Sequence, residues 1–388
     1  MSYTWNIPTK VLFGPGKLGT LHKEAAPGKK ALIVISNGKS VKTNGSLDKL
    51  LGELQQWGVD HVIFNKIQAN PLEPTIQEGV EFGQQNQCDF VIGLGGGSVM
   101  DSAKVIASMI PQKGGRVWDY VAMGSGGKKP QTEPALPFIA ITTSAGTGSE
   151  VDAGGVVTNP VTNEKTAFFG KMPVLAIVDP ELMLTVPPKF TAFQGFDAFF
   201  HNAEGYISKG CNEAGEMVEL TAIKKLAHYL PIAVADGSNL DARTQVAFAN
   251  TLGGYSMDVS TCTSEHSLEH ALSAYHQELP HGAGLIMLSL AYFATFIEKH
   301  ACDDRFIDMA RAMGVIDANK PEDFLTALKA MQEACGVADL KMSDYGITPD
   351  EFPKMAKNAR DSMGPLFLFD PAELSDEDII HIYQASYR

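Results

Sequence analysis

The sequence has no excess of positive charge, no paired cysteines and no long apolar run, and each absence removes a class of function. Its 31 Lys and Arg stand against 45 Asp and Glu, a formal charge of −14. Phosphate-backbone binding needs clustered cations, so nucleic acid and anionic membranes are excluded as partners. The five cysteines (Cys88, Cys211, Cys262, Cys302, Cys335) are odd in number and scattered, without CxxC spacing. That pattern offers neither a disulfide framework nor a zinc knuckle, and a reducing, cytoplasmic compartment is expected. No apolar stretch approaches the roughly 20 residues that a membrane-spanning helix needs. The opening MSYTWNIPTK has no basic segment followed by an apolar one, so no secretory signal is expected.

At 388 residues the chain is long for one hydrophobic core, and two domains are expected. Up to about residue 185, short apolar runs alternate with segments of helical periodicity. The runs at 31–35, 61–64, 90–93, 138–141 and 175–178 have strand length, whereas 46–57 and 74–85 carry apolar residues at helical spacing. This alternation predicts βαβ units and a mostly parallel sheet covered on both faces, an α/β domain over 1–185. The most informative run follows the third of these strands: Gly95-Gly96-Gly97-Ser98-Val99-Met100-Asp101-Ser102-Ala103-Lys104. Glycines let the backbone approach an anion, and the helix that follows presents its positive end to a phosphate. The run is neither GxGxxG nor GxxxxGK[ST], and a tight turn without a ligand is the plain alternative.

After Pro187-Pro188 strand-type runs nearly vanish, and helical segments follow at 193–206, 214–229, 242–260, 264–275, 284–299, 304–313, 321–334, 349–360 and 376–385. A second, all-helical domain over 186–388 is expected, with a small-molecule cleft between the two. Here Asp197 and His201 stand at i and i+4, on one helical face. Glu265-His266-Ser267-Leu268-Glu269-His270 repeats the spacing with two histidines, and Pro280-His281-Gly282 comes next. One carboxylate and three imidazoles suit a borderline divalent cation such as Fe²⁺ or Zn²⁺. Each pair taken singly also reads as an exposed helix pair or a hydrogen-bonded core histidine.

These motifs, in this order, resemble the iron-containing (group III) alcohol dehydrogenases, which are similar in fold to glycerol dehydrogenase and dehydroquinate synthase. The resemblance rests on GGGSVMDSAK (95–104), the loop Thr142-Thr143-Ser144-Ala145-Gly146-Thr147-Gly148-Ser149-Glu150, the helix around Asp197 and His201, His266 with His270, and Pro280-His281-Gly282. The opening Thr9 to Gly16 matches the family's first strand and turn, so the likeness runs nearly end to end. It implies a Rossmann-like dinucleotide domain followed by a helical metal-binding domain. It implies Asp197, His201, His266 and His281 as metal ligands, with His270 near the nicotinamide and free of the metal. It further implies that Gly96, Gly97 and Ser98 cradle the pyrophosphate and that Asp101 lies near the nicotinamide ribose. Thr143, Ser144 and Thr147 would line ribose and phosphate, and Lys165 would reach the cofactor.

Cofactor choice turns on residues 35–42, where NAD-preferring relatives often place an Asp against the ribose 2′-OH. This chain has no acid there and offers Gly38, Lys39, Ser40 and Lys42 instead, a segment resembling the NADPH-dependent butanol dehydrogenase and aldehyde reductase branch. NADP(H) is therefore expected over NAD(H). The implied reaction is hydride transfer between the nicotinamide and a small aldehyde or primary alcohol, with His270 and Asp101 as the catalytic side chains beside the metal. Phe199 and Phe200, flanking His201, are expected to make the substrate pocket apolar, while Tyr255, Cys262 and Phe169 read as core or pocket. A polyol dehydrogenase, a dehydroquinate synthase-like lyase and a non-catalytic protein with a structural metal are the competing readings. A homodimer or larger homo-oligomer is expected by analogy, with an N-terminal strand over 3–13 and Trp5 as a contact.

Overall fold

The computed structural model describes residues 3–388 and divides into two units. One comprises Asn6–Ala145 and Ser149–Thr185. The other comprises Gly146–Gly148 and Val186–Arg388, with the described residues before Asn6.

In the first unit, six parallel strands form one sheet: β1 (Lys10–Phe13), β2 (Lys30–Ser36), β3 (Asp60–Ile67), β4 (Phe90–Gly95), β5 (Phe138–Thr142) and β8 (Leu175–Val178). Their spatial order is β1-β8-β5-β4-β2-β3. The helices α1 (Ser40–Thr43), α2 (Ser46–Trp57), α3 (Glu73–Gln85) and α4 (Gly97–Met109) connect them. β2 and β4 read as unbroken apolar runs because both faces of a parallel sheet are covered, and residues 31–35 and 90–95 are all buried. The chain runs outward from β2 to β3, then crosses back to β4 and continues through β5 to β8. The strand order thus reverses between β2 and β4, where sheets of this kind bind ligands beyond the carboxyl ends of their strands.

A two-stranded antiparallel ribbon, β6 (Gly154–Asn159) with β7 (Glu164–Phe169), also belongs to this unit and was not expected from the sequence. The expected N-terminal strand over 3–13 shortens to Lys10–Phe13. Pro8, which has no N–H to donate, lies just ahead of it.

The second unit contains α5 (Pro188–Ile207), α6 (Glu213–Ala235), α7 (Leu240–Val259), α8 (Ser264–Tyr275), α9 (His281–Glu298), α10 (Asp303–Ala312), α11 (Glu322–Ala334), α12 (Phe352–Met363) and α13 (Asp376–Ser386). No strand follows β8 among the described residues. Asn212 caps α6 by accepting from the Ala214 and Gly215 N–H groups, Asn239 caps α7, and Ser375 opens α13 with a capping box. Phe196, Phe199, Phe200, Phe293, Phe306 and Phe324 are fully buried, each contributing about 1.5–3 kcal/mol by leaving water. α9 is long and apolar enough to cross a membrane by length and composition, and 67% of it is buried inside the protein. Trp5 packs edge-on against Tyr255 of α7, ring centroids 6.3 Å apart.

Candidate functional site

The sheet unit turns from β4 into α4 through close-packed glycines. β4 ends at Gly95, and a side chain there would bring its Cβ within 2.6 Å of Val99. A Cβ at Gly96 would come within 3.1 Å of Ser144 Oγ. No side chain caps the start of α4, so its first N–H groups keep their directionality for a ligand. Thr143 N donates to the Gly95 carbonyl at 2.9 Å, which pins the strand β5 exit beside the turn. Gly38 and Ser40 follow β2 and are exposed. Gly38, Ser40, Gly96, Gly97, Ser98, Thr143 and Ser144 are therefore gathered at the carboxyl ends of β2, β4 and β5, around the point of strand reversal.

The remaining expected cofactor residues are placed differently. Asp101 is 8% exposed and both its oxygens are engaged: Oδ1 accepts from Ser149 Oγ at 2.7 Å and Oδ2 from Val156 N at 3.0 Å. Burial pushes this carboxyl up to about 6 despite Lys104 and the Ser149 bond. Lys104, fully buried in α4, donates to Ser149 Oγ (3.0 Å), Asp152 Oδ1 (2.6 Å) and the Gly154 carbonyl. Asp101, expected near the nicotinamide ribose, is thus also an acceptor that fastens 149–156 onto α4. Lys165 is buried within the β6–β7 ribbon, opposite Thr158. Thr147 lies in the segment Gly146–Gly148, which packs with the helices. Gly148 donates its N–H to Asn250 Oδ1 at 2.9 Å, and its φ of +64° and a Cβ approach of 2.4 Å to Gly254 N demand glycine there.

In the helical unit the four expected ligands converge. Asp197 and His201 come from α5, His266 from α8, and His281 is the first residue of α9, held there by Pro280. Asp197 Oδ1 lies 3.6 Å from His201 Nδ1, 3.6 Å from His266 Nε2 and 3.5 Å from His281 Nε2. Donor atoms about 2.1 Å from a tetrahedral ion stand about 3.4 Å apart, so the His266 and His281 separations fit coordination and exceed hydrogen-bond length, whereas the His201 distance is to the nitrogen that the Gly146 carbonyl takes. Asp197 Oδ1 and His266 Nε2 are buried without a hydrogen-bond partner among the described residues. The donor atoms of Asp197, His266 and His281 close into one group within 4.8 Å. His201 stacks on His266 with centroids 4.4 Å apart, and its nitrogens group with Cys262 and His266 instead.

Behind the rings stand acceptors that fix their tautomers. Glu204 takes the Nδ1 of His266, Glu269 that of His281, and the Gly146 carbonyl that of His201 at 3.2 Å. For His266 and His281 such partners turn Nε2 and its lone pair toward Asp197. Burial chiefly drives His201 down to about 3, so it stays neutral. For His266 burial acts downward, but Glu204 and Asp197 carry it up to about 10. Burial would raise Asp197, yet His201, His281 and His266 hold it well below the carboxylate range. This pocket of charge therefore takes up a cation or, without one, a proton. His270, 4% exposed, sits with its ring centroid 5.4 Å from that of His281, and its donor atoms group with Glu269 and His281.

The sequence reading missed Glu204 and Glu269 as neighbours of the cluster, and Cys262, which it read as core or pocket, groups with His201 and His266. Glu204 is three residues beyond His201 and Glu269 three beyond His266, the spacing that puts them on the ligand-bearing faces. Phe199 and Phe200, expected to make the substrate pocket apolar, are fully buried in the aromatic core, Phe199 stacked on Phe324 and Phe200 against Phe293. Phe199, at i+2 from Asp197, turns to the opposite side of α5, and Phe200 packs against it with ring centroids 5.7 Å apart.

Comparison with known proteins covers both units. Residues 8–180 match the family model for iron-containing alcohol dehydrogenase, and residues 191–387 match that for the C-terminal part of the Fe-containing alcohol dehydrogenase family. The chain is 30% identical to the 1,3-propanediol dehydrogenase of Citrobacter freundii, over 99% of both chains. It is 30% identical to NADH-dependent butanol dehydrogenase A of Clostridium acetobutylicum, over 100% of both. Among solved structures, an archaeal halo-thermophilic alcohol dehydrogenase from a Red Sea brine pool superposes with a TM-score of 0.93 at 31% identity, covering 100% of this chain and 99% of the other.

Proposed function

The chain belongs to the iron-containing alcohol dehydrogenase family, and from that premise we propose how its residues divide the work of a metal-dependent, nicotinamide-linked alcohol dehydrogenase or aldehyde reductase. The observation that carries the assignment is the set of inward-facing acceptors: Asp197 Oδ1 and the Nε2 atoms of His266 and His281, 3.5–3.6 Å apart with no proton donor between them. Like-polarised atoms held that way share a cation or, without one, a proton. Asp197, His201, His266 and His281 are the ligands in this reading, with Fe²⁺ or Zn²⁺ the ions their chemistry favours. The bound ion supplies a Lewis acid for the substrate oxygen, and the nicotinamide gives or receives the hydride.

The protein's own groups do the rest. Gly96, Gly97 and Ser98 offer N–H groups to the pyrophosphate, with Thr143, Ser144 and Thr147 toward the ribose and Lys165 and Asp101 beside the cofactor. Glu204 and Glu269 keep two imidazoles in the ligating tautomer. His270 accepts the hydroxyl proton as an alcohol is oxidised and returns it as an aldehyde is reduced, so that the hydride and proton leave by separate routes. A small alcohol or aldehyde is the substrate class; a diol is the second reading, favoured by the 1,3-propanediol dehydrogenase relative. NADP(H) is our proposed cofactor, because Gly38, Lys39, Ser40 and Lys42 are exposed beyond β2 without an acid to repel a 2′-phosphate. The Clostridium relative is NADH-dependent by name, so this choice rests on those side chains alone. The five free thiols suit a cytoplasmic enzyme, and a homo-oligomer is proposed by analogy with relatives.

The test is metal removal. Chelator-treated protein should lose turnover of aldehydes with NADPH and regain it with Fe²⁺ or Zn²⁺. Undiminished turnover by protein shown to be metal-free would falsify the assignment.

A further inference from the structure

A thiol stands beside the histidines of the helical unit. Cys262, in the link between α7 and α8, is 7% exposed. Its Sγ and one ring nitrogen each of His201 and His266 all lie within 4.8 Å of one another. The tautomers show which nitrogens carry lone pairs. A carbonyl only accepts, so His201 Nδ1 donates to Gly146, and Nε2 is left to ligate. Glu204 holds Nδ1 of His266 in the same way and leaves Nε2, which has no hydrogen-bond partner among the described residues in a side chain 7% exposed. His266 thus belongs to two donor groups, with Asp197 and His281 in one and with Cys262 and His201 in the other, and Nε2 carries its one lone pair. A single lone pair serves a single cation, so occupation of one group excludes the other.

We propose that His201, Cys262 and His266 form an alternative cation site for soft divalent ions, overlapping the ligand set assigned above and resting on that reading. A thiolate with two imidazoles draws softer ions such as Cd²⁺ and Co²⁺, whereas a carboxylate with imidazoles serves Fe²⁺, Zn²⁺ and Mn²⁺. On binding, the thiol proton goes to solvent and one S–metal bond forms, with no change of oxidation state. A soft ion seated there takes His201 and His266 from the Asp197–His281 set, so it displaces the working metal and does not substitute for it. Metal choice is then decided by one side chain, Cys262.

Cobalt is the probe, because a Co²⁺–thiolate bond has a near-ultraviolet charge-transfer band that imidazole and carboxylate ligands lack. Metal-free protein titrated with Co²⁺ should develop this band. Cys262→Ser and Cys262→Ala should lose it while still binding Co²⁺, and His281→Ala, which weakens the competing set, should intensify it. Bound Co²⁺ without the band, or a band that survives in both Cys262 variants, overturns the site and leaves the four-ligand reading standing. Protein that binds no Co²⁺ at all overturns both.

Discussion

Glu204 offers the sharpest perturbation. It is fully buried, Oε1 takes His266 Nδ1, and Oε2 accepts from Thr263 N (2.9 Å) and Thr263 Oγ1 (3.1 Å). All three partners are donors, so a carboxylate satisfies them and an amide does not. Glu204→Gln keeps the shape but turns one oxygen into an NH₂. If the NH₂ faces His266, Nδ1 must become the acceptor, the proton moves to Nε2, and the ligating lone pair is lost. If it faces Thr263, donor meets donor at the entrance to α8. Either way one charge-assisted hydrogen bond goes, about 1.5–3 kcal/mol, which is about a 10- to 100-fold loss of metal affinity at about 1.4 kcal/mol per decade. The assay is competition for metal against a chromophoric chelator, with unfolding followed in parallel. Thr263→Ala is the contrast: it removes one donor to the other oxygen, so stability falls by about 1 kcal/mol while metal affinity changes little. A Glu204→Gln protein that holds metal as tightly as the wild type would refute the claim that this carboxylate sets the His266 tautomer.

Gly282→Ala places a Cβ 2.1 Å from the Phe193 carbonyl oxygen, so α9 must move off α5 and carry His281 with it. We expect a destabilisation of about 1–3 kcal/mol in thermal unfolding together with a reduced metal content; a fully loaded variant of normal Tm would contradict the packing described. Gly38→Asp puts an acid beyond β2, and the ratio of kcat/KM for NADP⁺ over NAD⁺ should fall by about tenfold or more, the size of one charge-assisted contact. An unchanged ratio would show that the 2′-phosphate is not read there. Asp370 accepts from Ser264 N, Ser264 Oγ and Tyr292, yet burial raises its carboxyl from 3.8 to about 7. The folded protein keeps a proton that the unfolded chain releases, so this group's ionisation removes stability as pH climbs from about 4 to about 7 and adds no further cost above. Asp370→Asn cannot ionise and should gain on wild type across that window by a few kcal/mol, at ~1.4 kcal/mol per pH unit. A Tm difference that stays flat from about pH 4 to about pH 8 would count against it.

What the sequence disclosed follows from how periodic each element is. Five consecutive apolar residues at 31–35 can only be a covered strand, and Asp197 with His201 can only share a face once the helix is granted. The β6–β7 ribbon escaped notice because its residues (Thr158, Asn159, Glu164, Lys165, Thr166) mix polar with small groups, and its buried face is supplied by tertiary packing. His266 and His270 could not be separated by spacing, since i and i+4 fall on one face. In the structure Asp197 Oδ1 lies 3.6 Å from His266 Nε2, while both rings stand beside His281. Glu204 and Glu269 were hidden for a related reason: a carboxylate becomes a neighbour of the cluster only through contacts between different helices. Phe199 and Phe200 adjoin His201 in sequence but pack into the aromatic core, because adjacency in sequence places side chains on different sides of a helix.

The region beyond the strand reversal also bears on how this enzyme would change over generations. Its phosphate-holding part tolerates almost nothing: a methyl group at Gly95 collides with Val99, and one at Gly96 presses on Ser144. Residues 37–40, by contrast, are exposed, and a Cβ at Gly38 would meet only Ser36 Oγ at 3.3 Å. Surface substitutions of this kind usually alter stability by no more than about 0.5 kcal/mol. In the proposed assignment, the grip on the pyrophosphate and the choice between the two dinucleotides are inherited separately. A lineage moving between reducing-equivalent pools can retune the second by single exposed replacements, while selection on the first holds the turn fixed.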